Sequence, residues 1–314
     1  MEDTTRRPQL SRRRLMGILA GGIAASAVGG VGIFSAQSGG NAASPSPAAT
    51  SSSATPTPSS SSAATAAAPA KKTTPVVRVQ TDEDTWYAWQ WVNLTTGDSY
   101  GSANAAKQTN NTESMIKAWI GTDYLAGVEA SGKPLSDADK ALITKMIKNS
   151  DDSAAQTLYL RRGADKVIQR AIDECGLSGT SITESWWSKT QITALDATRM
   201  MREILDRAKT SELVAWLVDD LMRNVSPGNA FGIAEVLGEV DPQADPAIKN
   251  GWTDHARTGL WNLNCLAEWT STAGGEQIVL AILTRYPVGY GQAYGEKVCR
   301  EVTSQLLEQL TVQA

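Results

Sequence analysis

The chain has a single histidine, His255, in 314 residues. A metal site built on several imidazoles is therefore excluded, and a serine–histidine triad would rest on that one residue. Cysteine is almost as scarce. Cys175, Cys265 and Cys299 stand far apart with no C-x-x-C pair, which excludes a zinc ribbon. None of them follows the apolar N-terminal run, so a lipid-bearing cysteine has no place there. An excess of one charge is lacking too. The 29 basic residues face 33 acidic ones, and no basic stripe with interleaved aromatics is present. That balance offers no surface for nucleic acid.

What is present begins with an address. Arg12 and Arg13 precede a Gly- and Ala-rich apolar run from Leu15 to Ala36. Ser11-Arg12-Arg13-Arg14-Leu15-Met16 fits the twin-arginine export pattern, whose apolar region is weakly hydrophobic. An ordinary signal-anchor with a basic flank fits the same residues. The run is long enough to span a bilayer, although its glycines weaken it as a helix. No clean A-x-A site marks a cleavage point. Residues 1–36 are expected to be such a signal or signal-anchor, directing the protein to the extracellular or cell-wall space. Membrane contact is then expected only through this segment, if it is retained. Residues 37–75 are almost entirely Ser, Ala, Thr, Pro and Gly, with too little apolar bulk to offset the entropy of ordering. A flexible chain of that length spans about 35 Å and suits a tether.

The folded domain is expected over 76–314. "TWYAWQWVNLTTGDSYGSA" reads as a hairpin, with Trp86, Tyr87, Trp89, Trp91 and Val92 as strand formers around a "TTGD" turn. A helix then carries Ile116, Trp119, Ile120 and Tyr124 on one side. "SDADKALITKMIKNS" is a second helix capped by Ser136, and "SDDSAAQTLYLRRG" a third that stops at Gly163. "ADKVIQRAIDECG", "TALDATRMMREILDRA" and "SELVAWLVDDLMRN" continue the helical block. "AIKNGW", "TGLWNLNCLAEWT" and "EQIVLAILTRY" read as three strands, and "GEKVCREVTSQLLEQL" as a last helix. Two strands, a block of helices, three strands and a helix make an α+β order. The expected sheet is five-stranded and mainly antiparallel, with an inserted all-helical subdomain.

Within "NNTESMIKAWIG", Ser114 and Lys117 lie three residues apart at the mouth of the first helix, and such a pair shares a helix face. A serine hydroxyl needs a base, and a lysine becomes one only when burial lowers its pKa from about 10.4. The pair alone is equally the sign of a helix start beside a solvated lysine. Two more segments extend the pattern: Ser150-Asp151-Asp152 between two helices, and Lys249-Asn250-Gly251 on a predicted strand.

The order S-x-x-K, S-D-x, K-x-G resembles that of the penicillin-recognising serine hydrolases, the class A β-lactamases and penicillin-binding proteins. The likeness runs from about Trp86 to the end. "IKNGW" followed by "TGLWNLN" is similar to secreted, class A-related hydrolases of actinobacteria. The resemblance implies a β-lactamase/DD-peptidase-like fold, with Ser114 as acylated nucleophile and Lys117 as its base partner. Ser150 would relay a proton to the leaving nitrogen, and Lys249 would receive the substrate carboxylate. The N–H groups of Ser114 and Trp252 would form an oxyanion hole. Asp151 would fix its loop, a role compatible with a plain helix N-cap. Gly251 belongs to the same strand motif.

Three positions depart from the family. Asp152 replaces an amide by a carboxylate, which only accepts hydrogen bonds. Asn250 replaces a hydroxyl residue, leaving its amide to donate to a substrate carboxylate. The acidic E-x-x-L-N loop that activates the deacylating water is absent; "TSITESWWSKTQITALD" stands there, and Glu184 lacks the flanking pattern. Trp186, Trp187 and Trp252 are candidates to line the cleft. Arg257, in the turn after the K-x-G strand, is a candidate carboxylate contact. Cys265 and Cys299 would pair if their strand and the last helix pack together, since export permits a disulfide. The reading is an exported serine acyl-hydrolase acting on β-lactams or peptidoglycan stem peptides, with slow deacylation and no metal or organic cofactor. The alternative is a non-catalytic, cell-wall-associated binding protein that keeps the fold.

Overall fold

A computed structural model of the chain describes residues 74–310. The expected signal and all but the end of the expected tether lie outside the described residues, as does the whole of a first unit, Met1–Ala68.

Strand β1 (Trp86–Asn93) turns into β2 (Ser99–Gly101), and β3 (Thr109–Asn111) leads to a 3₁₀ turn, Glu113–Ile116. Helices α1 (Lys117–Ala130), α2 (Asp137–Lys148), α3 (Asp152–Arg161) and α4 (Lys166–Cys175) follow. After β4 (Gln191–Thr193) come α5 (Ala194–Ala208), α6 (Glu212–Trp216), which runs on through a π-helical turn at Leu217–Met222, and α7 (Ile233–Val240). Strands β5 (Ala247–Ile248), β6 (Gly251–His255), β7 (Leu260–Thr270) and β8 (Gln277–Pro287) precede α8 (Gln292–Leu310).

The main sheet is antiparallel and ordered β2-β1-β8-β7-β5, with β6 also on β7. It has six strands rather than the expected five, because "AIKNGW" breaks at Lys249-Asn250 into β5 and β6. The cause is the Asn250 side chain. Its Oδ1 accepts from the Leu266 N–H at 3.2 Å, a bond that a continuous ladder would give to backbone. A second ribbon, β3–β4, has no hydrophobic alternation to betray it: "TNN" pairs with "QIT". Helix α7 also escaped the pattern, though Ile233, Val236 and Leu237 are buried at helical spacing and Glu235 accepts from the Gly232 N–H at 2.9 Å.

Both faces of the sheet are covered, so its central strand reads as an unbroken apolar run. Along β8, Val279, Ala281 and Leu283 face the helical block, while Ile278, Leu280 and Ile282 face α7 and α8. Helix α1 is buried from Lys117 to Leu125 and runs through the middle of the helical block. A helix apolar all round is a core helix. The lysine at its first turn is thereby forced out of water.

Two caps read from the sequence hold. The Ser136 side chain accepts from the Asp139 N–H at 3.1 Å, and Asp151 from the Ala154 N–H at 2.8 Å. The β1–β2 turn closes on Asn93, whose Oδ1 accepts from the Thr95 and Thr96 N–H groups, both at 3.0 Å. Gly97 takes the positive φ (81°) that this turn requires.

Candidate active site

Three chain segments meet at the start of α1. The 3₁₀ turn presents Ser114, and one turn on, Lys117 reaches back so that its Nζ stands 2.8 Å from Ser114 Oγ. The same Nζ donates to the Ser150 carbonyl at 2.6 Å and to Asp152 Oδ1 at 2.6 Å, and lies 3.4 Å from Ser150 Oγ. Ser150 occupies the α2–α3 connection in a left-handed conformation, φ 55°, uncommon for a residue with a Cβ. The two contacts from Lys117 hold it there. From the sheet side, Lys249 Nζ donates to Ser150 Oγ at 3.0 Å and to the Asn250 carbonyl at 3.1 Å. One hydroxyl thus bridges two buried lysines.

Electrostatics follows from burial. Loss of water lowers the Lys117 pKa below the usual lysine range; Asp152, then Asp151 and Glu113, push it back up. Lys249 is lowered well below its usual value, first by burial and then by the charge on Lys117, with Asp152 giving partial relief. Its hydrogen-bond acceptors are neutral, whereas Lys117 has a carboxylate. Asp152 is 80% exposed at its side chain, so water solvates its charge. Across from these groups the indole of Trp187 stands 5.1 Å from Lys117 Nζ and is pinned by its own N–H to Gln156 Oε1 at 2.9 Å. The segment that stands in place of an acidic loop thus brings Trp187, a candidate to line the cleft, beside Lys117.

Gly251 closes the site from β6. A Cβ at this position would lie 2.5 Å from both Met115 N and the Thr112 carbonyl, and 2.8 Å from Ser114 N. Only a glycine lets the strand approach the Ser114 turn so closely. Trp252, next along β6, is half-buried and packs edge-on against Phe231, ring centroids 5.1 Å apart.

Other predicted residues lie elsewhere. Asn250 is buried, and its Nδ2 donates to the Asn229 carbonyl at 3.1 Å and the Phe231 carbonyl at 3.0 Å. With its Oδ1 also occupied, this amide is committed to backbone partners within the protein. Glu184 is exposed on its turn and shares no hydrogen bond or ion pair with Ser114, Lys117, Ser150 or Lys249. Arg257 is exposed in the β6–β7 turn. Trp186 is exposed beneath Lys189 Nζ, 3.6 Å away. His255 ends β6 and bonds to Glu113 Oε1 at 2.7 Å, not to a serine. Cys265 and Cys299 are free, buried thiols. Among the described residues no group of three or more His, Cys, Asp or Glu side chains is arranged for a metal ion. Sequence reasoning missed Glu113 and its partner Asn262. An acid directly before Ser114 and the N-x-N alternation in a buried strand were the available signals.

The family model of the beta-lactamase enzyme family matches residues 138–310, and the chain belongs to that family. The match begins inside α2, so Ser114 and Lys117 rest on geometry. Among curated proteins, "Putative lipoprotein LppW" of Mycobacterium tuberculosis is 30% identical over 161 residues, covering 48% of this chain and 49% of the relative. The chain spans about half the length of the curated relatives it matches. Among solved structures, the TLA-3 extended-spectrum beta-lactamase superposes with TM-score 0.60 at 13% identity, covering 73% of this chain and 94% of that one. A mutant PBP-A, solved as its acyl-enzyme complex with penicillin G, gives 0.57 at 18% identity, covering 72% and 92%. At those identities the two structures establish the fold.

Proposed function

We propose that the protein is a serine acyl-hydrolase in which Ser114 attacks an amide or lactam carbonyl and forms an acyl-enzyme. The supporting observation is the 2.8 Å approach of a fully buried Lys117 Nζ to Ser114 Oγ. Neutral Lys117 takes the hydroxyl proton as Ser114 bonds to the carbonyl carbon. Ser150, between the two lysines, then passes a proton to the departing nitrogen. Ser114 N–H and the backbone of β6 beside Gly251 face the developing oxyanion. The substrates we propose are β-lactams or peptidoglycan stem peptides, whose carbonyls fit this chemistry.

Deacylation needs a water and a base. Trp187 occupies the wall nearest Lys117, and Glu184 is turned to solvent. Without general-base help, hydrolysis slows by about 10²–10⁴-fold, so the acyl-enzyme should accumulate. Intact-protein mass spectrometry with a penicillin tests this. The expected result is a long-lived adduct on Ser114, lost in Ser114→Ala, and a burst with a chromogenic cephalosporin. No adduct and no drug loss would favour a non-catalytic cell-wall binder. Fast turnover without a burst would place a base that this reading lacks.

We also propose export. Arg12 and Arg13 ahead of a soft apolar run support the twin-arginine route, and the mycobacterial relative is named a putative lipoprotein. Among the described residues no helix is long and apolar enough to cross a membrane. Replacing both arginines with lysine should leave the precursor in the cytoplasm; unchanged export would refute the route.

A further inference from the structure

One buried acid takes no part in the chemistry above. Glu113, directly before Ser114, is 2% exposed, and its φ of 48° is left-handed. For a residue with a Cβ that conformation is unfavourable, and burying a carboxylate without donors is costly as well. Two donors from the sheet meet it. His255 Nε2 lies 2.7 Å from Glu113 Oε1, and Asn262 Nδ2 donates to the same oxygen at 3.2 Å. The same His255 Nε2 lies 3.3 Å from Asn111 Nδ2, so the imidazole stands between the acid and the residue two positions before it.

The grip is part of a larger seat. Asn264, two residues along β7 and on the same face as Asn262, donates from Nδ2 to the Asn111 carbonyl at 2.8 Å and the Thr112 carbonyl at 3.3 Å. Asn110 Nδ2 donates to Asn264 Oδ1 at 2.8 Å. Asn262 is itself braced, its Oδ1 accepting from Arg285 Nε at 3.3 Å. Every residue from Asn110 to Glu113 is thus held by the sheet or by the neighbouring loop, where Thr112 N–H donates to the Thr190 carbonyl at 2.8 Å. Glu113 is the last of them, and the only one with a left-handed backbone. A return to the right-handed region would re-aim the chain that follows, and the Ser114 N–H is the first group to move.

We propose that Glu113, gripped by His255 and Asn262, is the positioning residue that aims the Ser114 hydroxyl and N–H into the site. This rests on the reading of Ser114 as nucleophile. His255 thereby acquires a role two steps from the chemistry: it orients the acid that orients the serine.

The test separates positioning from mere stability and from charge. Acylation rate, pre-covalent affinity for a penicillin and melting temperature are measured for wild type, Glu113→Ala, Glu113→Gln, His255→Ala and His255→Gln. Glu113→Gln removes the charge but keeps an oxygen that accepts from both donors. His255→Gln keeps a donor. Glu113→Ala should slow acylation on the order of 100-fold, as expected for a misplaced oxyanion donor, with affinity within about threefold. His255→Ala should slow it about tenfold, and both glutamine variants should recover most of the loss. If Glu113→Ala lowers the melting temperature yet acylates at the wild-type rate, the residue is structural and the proposal falls. If Glu113→Gln loses as much as Glu113→Ala, the effect runs through charge, and the proposal falls. Should Glu113→Ala not fold, the His255 pair decides in the same way: equal rates in wild type, alanine and glutamine forms overturn it. A wild-type chain that takes no adduct removes the nucleophile reading, and this proposal with it. A labelled wild type with an unimpaired Glu113→Ala removes this proposal alone.

Discussion

Lys117→Met and Lys117→Arg should both lose acylation of Ser114, by about 10²–10⁴-fold, the range of general-base help. Methionine keeps the unbranched stem in a pocket where Lys117 is fully buried, and it removes the amine. Asp152, 80% exposed at its side chain, is then left in water rather than stranded. Arginine keeps a cation for Asp152 but cannot accept a proton, because guanidinium stays protonated. It is also larger, and overpacking costs about 1–3 kcal/mol, so melting temperature is recorded alongside. The sign of the pH dependence follows from the same contacts. Only neutral Lys117 accepts the Ser114 proton, so acylation should rise with pH as Lys117 deprotonates. Burial sets that rise below the usual lysine range, and Asp152 holds it higher than burial alone would. Asp152→Asn should therefore move the rising limb to lower pH. Time-resolved mass spectrometry across pH reads both effects. An arginine variant that acylates at the wild-type rate, or a limb that Asp152→Asn shifts upward, would show that Lys117 is not the base.

Gly251→Ala should be nearly as damaging, for a steric reason. The added methyl would stand 2.5 Å from Met115 N and the Thr112 carbonyl and 2.8 Å from Ser114 N. These are backbone atoms on a braced turn, so no rotamer change relieves the clash. We expect a stability loss of about 1–3 kcal/mol. We also expect a fall in acylation of roughly 100-fold or more, as β6 and the Ser114 N–H are pushed apart. Gly238→Ala is the control. It lies in α7, where an added methyl would meet nothing within 4 Å, and a helical alanine should be neutral or stabilising by about 0.5–1 kcal/mol. Thermal melts and Ser114 labelling of both variants check this. Equal behaviour of the two would mean that β6 can retreat from the nucleophile without consequence.

By itself the sequence determined whatever depends on neighbours along the chain. Ser114 and Lys117 meet because three residues along a helical turn bring side chains together. Ser136 and Asp151 cap their helices because a short polar side chain before a helix reaches the third N–H beyond it. The long apolar runs of β7 and β8 were legible because both faces of a covered sheet are apolar. The three-residue strands β3 and β4 were not, since polar residues at that length carry no period.

Only the tertiary structure decided which distant segments touch, because packing and strand register set those meetings and local spacing does not. It brought Lys249 to Ser150 and turned the Asn250 amide onto backbone partners in the gap between β5 and β6. It set the Trp187 indole beside Lys117 and left Trp186 exposed, though both were candidates to line the cleft. It also seated Glu113 on His255 and Asn262, residues 142 and 149 positions further along the chain. No pattern of neighbours foretells such a contact; it exists because β6 and β7 pair in one register and the Ser114 turn packs across them.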